Sequence, residues 1–330
     1  TRSRANHQGN ASPEAEACQP KLTWGKRPQD AKSADADHDD GKSPMGDVAD
    51  MQQLCLQLRS KLDKFLDTQT DDKVLKGVQA QVRIAQSVIE DALKRYRPDE
   101  LLIAYNGGKD CLVLLVLILA QLPSHFPFQH PPSSSTSDNP SQQQHQNHNT
   151  RTARSSNSLA SRFPHALQAL YIRPPRPFPE VDAFVAETTA TYHLDLATSD
   201  QPMKAALAEY LVERPRVKAV FVGTRRTDPH GAALGFFDET DQDWPRFMRV
   251  HPVIDWHYRE VWGFIRALDI PYCPLYDKGY TSLGGTDDTH PNPALRRSNE
   301  GSTEEERNKN GFRPAYELME DGEERLGRDQ

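Results

Sequence analysis

The sequence predicts an α/β fold, a mostly parallel sheet with helices on both faces. From residue 101 onward, short apolar β-prone runs alternate with longer segments of helical periodicity. Turns containing glycine or proline separate them, in the order strand, turn, helix. One segment, Cys111–Leu122, is apolar on every side; it is too short to span a bilayer and fits a buried helix. Hydrophobic content is only 36% with 25 prolines, so part of the chain contributes little to a core. The net charge of −7 argues against a nucleic-acid partner held on an extended basic surface.

Taken in order, residues 1–48 are rich in Asp, Ser, Pro, Lys and Gly without apolar periodicity. They are expected to form a disordered tail ahead of one domain spanning 49–330. Leu54, Leu58, Leu62 and Phe65 predict a helix over Met51–Phe65. Leu75, Val78, Val82, Ala85, Ile89, Leu93 and Tyr96 predict a second, which Pro98 ends. A strand over Leu101–Tyr105, a turn over Asn106–Asp110 and the buried helix follow. From about Pro123 to Arg162, Ser, Gln, Asn, His and Pro dominate, which predicts a low-complexity insertion at a surface turn. Its histidines, His125, His130, His145 and His148, are irregularly spaced and fit a solvated loop better than a metal site. The alternation resumes with strand Ala166–Ile172, helix Val181–Tyr192, strand Leu194–Ala197, helix Pro202–Glu213 and strand Val217–Val222.

In such sheets ligands sit beyond the carboxyl ends of the strands, where strand order switches, so each loop after a strand is a candidate for chemistry. In the first, Gly107 and Gly108 relieve the turn and allow close approach, and the helix that follows offers its N-terminal N–H groups to an anion. Lys109 adds a cation and Asp110 a carboxylate suited to a metal ion. The spacing fits neither G-x-x-x-x-G-K-[S/T] nor G-x-G-x-x-G. It resembles the PP-loop of the ATP pyrophosphatase superfamily, SGGxDS, with Asn106 and Cys111 in place of the two serines. After Ala166–Ile172, the proline-rich RPPRPFPEVDAFV leaves backbone groups of Tyr171, Ile172 and Arg173 to line an adenine pocket. After Val217–Val222, GTRRTDPHGAAL brings Gly223, Arg225, Arg226, Asp228 and Gly231 together. It reads either as a surface turn or as a phosphate site beside an orienting carboxylate. Downstream, Trp244, Phe247, Met248 and Arg249 set aromatic surface next to a cation, while Trp256 and Trp262 read as core.

Five ordered stretches then carry a specific resemblance: GGKDC after a strand, VFVGTRRTDPHG, DWPRFMRVHPVIDW before an EVW helix, IPYCPLYDKGYTSLGGT, and PNPAL. With the tail RPAYELMEDGEERLGR they resemble eukaryotic FAD synthase, the FMN adenylyltransferase branch of the PAPS reductase-like family. The resemblance implies a Rossmann-like, adenine nucleotide α-hydrolase-like fold with a C-terminal active-site tail from about residue 296 to 330. It also implies Mg²⁺-dependent transfer of AMP from ATP to FMN, giving FAD and pyrophosphate. By the same resemblance, Tyr105, Asn106, Gly107, Gly108 and Lys109 hold ATP with Tyr171, Ile172, Arg173 and Gly223. Arg225, Arg226, Asp228, Trp244, Arg249, Tyr280 and Gly284 hold FMN. Asp110 and Asp228 are implied as metal ligands and, with Arg325 and Arg328 on the leaving pyrophosphate, as the catalytic set.

Three other readings stay open: a silent flavin- or nucleotide-binding module, a PAPS reductase, and a sulfate adenylyltransferase. A reductase needs a cysteine in its C-terminal tail, and the last cysteine here is Cys273, followed by proline. The four cysteines, Cys18, Cys55, Cys111 and Cys273, form no C-x-x-C pair and fit a reducing compartment. The chain opens at Thr1 with no apolar stretch of a secretory signal, and a missing N-terminal segment is left open. The expectation is a cytoplasmic monomer with small-molecule partners ATP and FMN, and neither nucleic acid nor membrane.

Overall fold

The computed structural model describes residues 44–126, 163–297 and 311–329. Six strands form one sheet: β1 (Leu101–Ala104), β2 (Leu167–Ile172), β3 (Leu194–Ser199), β4 (Ala219–Phe221), β5 (Phe237–Glu239) and β6 (Met248–Val250), in the order β3-β2-β1-β4-β6-β5. All neighbours are parallel except β5, which pairs antiparallel with β6 at the edge. The helices are α1 (Pro44–Asp67), α2 (Lys73–Arg95), α3 (Lys109–His125), α4 (Pro179–Thr191), α5 (Met203–Glu213) and α6 (Tyr258–Ala267).

Chain direction decides which face each helix covers. The crossovers β1-α3-β2 and β2-α4-β3 step the same way across the sheet, while β3-α5-β4 steps back past β1; right-handed connections therefore put α3 and α4 on one face and α5 on the other. On the α5 face, Leu207 and Tyr210 pack with Leu102, Leu170 and Val220 from three strands. On the other face α3 packs against α1, α2 and α6 as well, so it is buried from Cys111 to Leu122. Its uniform apolarity is explained by that second layer of helices. No helix among the described residues is long and apolar enough to cross a membrane.

The structure moves several sequence boundaries. Helix α1 begins at Pro44, inside the stretch expected to be a tail; residues 1–43 lie outside the described residues. Helix α3 runs through Pro123 to His125, so the insertion starts later than its composition suggests. Residues 127–162, with His130, His145 and His148, lie outside the described residues. The rings that flank them, Phe126 and Phe163, meet edge to face at 6.5 Å. Strands β5 and β6 were not foreseen. Each has three residues, and Asp238, Glu239 and Arg249 dilute any apolar signal.

Candidate active site

The strand order switches between β1 and β4, which are hydrogen-bonded neighbours whose chains depart in opposite directions. Their carboxyl ends open into a cavity of about 320 Å³. The turn after β1, the turn after β4, the 276–283 loop and the C-terminal segment all contribute to its wall. This is the position where ligands of open α/β sheets bind.

The turn after β1 is held from within. Asn106 Oδ1 accepts from Gly108 N at 2.9 Å, and the Cys111 thiol lies 2.9 Å from the same oxygen. Gly107 has φ +71, and a Cβ there would meet Val185 of α4 at 2.9 Å, so glycine is required twice over. Helix α3 starts with no side-chain cap; Lys109 N donates to the Tyr276 hydroxyl at 2.8 Å. An uncapped helix start facing a cavity suits an anion. Gly223 brings the β4 turn against this start, because a Cβ there would stand 2.9 Å from Cys111 N.

Behind the wall lies an ionic cluster. Lys109 Nζ is 2.9 Å from Asp110 and also pairs with Glu324. Arg225 Nε is 2.8 Å from Asp110, its Nη2 pairs with Glu324 and lies 3.7 Å from Asp228, and its backbone N donates to Asp228 at 2.8 Å. Lys109 is 2% exposed, Arg225 0% and Glu324 5%, so these charges have little water to fall back on. Burial opposes charge on Lys109, Asp110 and Arg225. Even so, Asp110 and Glu324 raise the Lys109 and Arg225 pKa values, and Lys109 and Arg225 hold the Asp110 carboxyl below its usual range. Burial pushes the Cys111 thiol up to about 12, so it is a packed thiol and not a nucleophile.

The other expected site residues divide into two groups. Tyr105, Asn106, Gly108, Lys109, Asp110, Ile172, Gly223, Asp228, Arg325 and Arg328 all line the cavity. Tyr171 is buried and bonds Asp182 at 3.0 Å, and Arg173 N donates to Ser199 at 2.8 Å. Arg325 is exposed, and Arg328 is fixed by Asp288 at 2.9 Å with its guanidinium against Gly284. Arg225 departs from the expectation of an FMN contact: it is fully buried and its charge is spent on carboxylates. Arg226 points outward, pairing with Asp255 at 2.6 Å and donating to the Ala232 and Leu234 carbonyls. Trp244 is half-buried against the α5-side core, Arg249 donates to the Glu239 carbonyl at 2.8 Å, and Tyr280 meets Phe178 edge to face at 5.4 Å; none of the three lines the cavity.

A metal must also fit. Among the described residues no group of three or more His, Cys, Asp or Glu side chains could hold an ion unaided. Both Asp110 oxygens stand within 2.9 Å of Lys109 or Arg225, so its carboxylate is engaged by cations in this structure. Asp228 Oδ1 has only the 3.7 Å contact and lies at the cavity wall. This donor set fits Mg²⁺ carried largely by substrate phosphates, since that ion commonly takes one or two carboxylates and completes its shell with phosphate and water.

Comparison with known proteins places this geometry. The model of the phosphoadenosine phosphosulfate reductase domain matches residues 100–291. The probable FAD synthase of Schizosaccharomyces pombe is 37% identical over 77% of this chain and 81% of its own length. The chain belongs to the FAD synthase branch of that family. The probable FAD synthase of Caenorhabditis briggsae is 34% identical, and the chain spans 39% of its length. The crystal structure of Candida glabrata FMN adenylyltransferase in complex with FMN and an ATP analog superposes with a TM-score of 0.68, at 26% identity, over 85% of this chain and 99% of that one. Within this FAD synthase fold, sequence reasoning missed Glu324, whereas the stretch IPYCPLYDKGYTSLGGT contributes Tyr276, Ser282 and Leu283 to the cavity. The Glu-Glu-Arg run of the tail held the signal for Glu324, but four acids, Glu320, Asp321, Glu323 and Glu324, compete there and only the last is buried.

Proposed function

We propose that this protein makes FAD from FMN and ATP, acting as a single domain in which the C-terminal segment completes the site. An FMN phosphate oxygen attacks the α-phosphorus of ATP, the bond from that phosphorus to the bridging oxygen breaks, and pyrophosphate leaves. Such a displacement needs alignment and neutralisation of charge more than covalent help. The N–H groups of the Asn106–Gly108 turn and the α3 start meet the triphosphate, and the backbone of Tyr171–Arg173 borders the adenine. Arg325 and Arg328 face the pyrophosphate end, where negative charge develops. Asp228 aligns the FMN phosphate, with Trp244, Arg249, Tyr280 and Gly284 on the flavin side. Mg²⁺, held by Asp228 and the phosphates, supplies further neutralisation when bound.

The observation that carries this reading is the cavity itself: in a member of the FAD synthase branch, an uncapped helix start and two tail arginines share one cavity at the strand switch point. Purified protein incubated with ATP, Mg²⁺ and FMN, with riboflavin and sulfate as parallel acceptors, tests it by chromatography. FAD and pyrophosphate should form with FMN alone. Flavin binding without product from any acceptor would identify a silent binding module instead.

A further inference from the structure

Glu324 is the buried acid that the proposed reaction does not use. Its carboxylate joins two cations from opposite sides of the switch point: Lys109, at the start of α3 after β1, and Arg225, in the turn after β4. Its backbone is fixed from the other direction. Thr281 Oγ1 donates to the Glu324 carbonyl at 2.6 Å, and Asn292 Nδ2 donates to Thr281 Oγ1 at 2.8 Å and to the Glu323 carbonyl at 2.7 Å. Residue 324 is thus held at both ends while its sequence neighbour Arg325 is exposed at the cavity. Arg328 follows one turn later, anchored by Asp288.

Charge count and burial bear on Lys109 as well. Its ammonium has Asp110, Glu324 and, at 5.1 Å, the face of Tyr258 around it, and it is 2% exposed. That side chain is committed to the cluster and not to a ligand. Three carboxylates against two cations leave one negative charge beside the cavity, so the cations available to a polyphosphate are those of the tail.

We propose that Glu324 is a positioning residue: by clamping the tail to Lys109 and Arg225 it sets Arg325 and Arg328 over the phosphate end of the cavity. This rests on the FAD synthase reading above. A misplacement of about 1 Å costs about 10²-fold in rate, and that is the scale expected when the clamp is lost.

Steady-state kinetics of Glu324→Gln, of Arg325→Ala with Arg328→Ala, and of the three changes combined test the clamp, with wild-type FAD formation established first so that failure of the underlying reading shows separately. Glu324→Gln, which keeps the shape, should lower kcat by about 10²-fold with the FMN KM unchanged. In the background lacking both arginines it should cost less than about threefold, because a residue acting through Arg325 and Arg328 has nothing left to position. Pyrophosphate affinity, measured by inhibition, should fall in step with kcat, and Glu324→Asp, one methylene short of both cations, should not restore it. Equal losses in both backgrounds, or a normal kcat in Glu324→Gln, would overturn the proposal. If Glu324→Gln does not fold, Thr281→Val removes the pin on the Glu324 carbonyl and leaves the charges. It should then shift kcat and pyrophosphate affinity the same way, less strongly, and unchanged kinetics there would overturn it equally.

Discussion

Replacing Arg225 with methionine removes one charge from the centre of the cluster while keeping an unbranched side chain of similar reach. In the wild-type protein the guanidinium is 0% exposed and faces Asp110, Asp228 and Glu324. The variant gains because a cation no longer has to be desolvated. It loses because three carboxylates are left with Lys109 alone. The loss dominates: breaking a buried pair from one side typically costs about 3–5 kcal/mol. At about 2–4 °C per kcal/mol for a domain of this size, Tm should fall by about 6–20 °C. The deficit should also depend on pH. Although burial opposes it, Lys109 and Arg225 depress the Asp110 pKa below its usual 3.8; in the folded protein that carboxylate stabilises above pH 3.8, and the contribution is lost as pH falls through the lower folded value. Without Arg225 the depression weakens, so the gap between variant and wild type should be full near pH 7 and narrow as pH falls below about 4. Thermal denaturation followed by circular dichroism, without ligands, at pH 7.5, 4 and 3 measures both effects. A Tm within about 2 °C of wild type at pH 7.5, or a gap that does not change with pH, would show that these carboxylates do not depend on Arg225.

Three further substitutions probe the proposed roles. Asp228→Asn should leave the fold intact, since the amide can still accept from Arg225 N, yet lower FAD formation by about 10²-fold or more in single-turnover assays; near-normal turnover removes Asp228 from the chemistry. Trp244→Ala should raise the FMN KM far more than the ATP KM, and equal rises would mark Trp244 as packing for the α5-side core alone. His257 lies 2.5 Å from Asp321, which also accepts from Tyr258 N at 2.6 Å, and the Asp321 hydrogen bond raises the His257 pKa above 6.5. A raised folded pKa stabilises below pH 6.5 and is lost as pH rises through the folded value. Amide protection of residues 311–329 should therefore decline with rising pH in the wild type once intrinsic exchange is corrected, and His257→Ala should abolish that dependence.

How much of this site the residues disclose in advance depends on whether the deciding contact is local. The first strand, its glycine turn and the buried helix are legible because LLIAY, NGG and the run of leucines each carry their own conformational reason. The tail arginines are legible only through family resemblance, since nothing between Arg325 and Asn106 along the chain says that they share a cavity. The pair Arg225 and Arg226 shows where local reasoning stops. Successive side chains of an extended turn point to opposite sides, so one of two adjacent arginines can face the interior while the other faces solvent. Both were assigned to the flavin side, whereas the structure sends Arg225 inward to three carboxylates and Arg226 outward to Asp255. Which one turns inward depends on where Glu324 lies, about one hundred residues downstream by the Arg225 contact. The buried acid and the buried arginine select each other in space, and neither has an identifying neighbour in sequence.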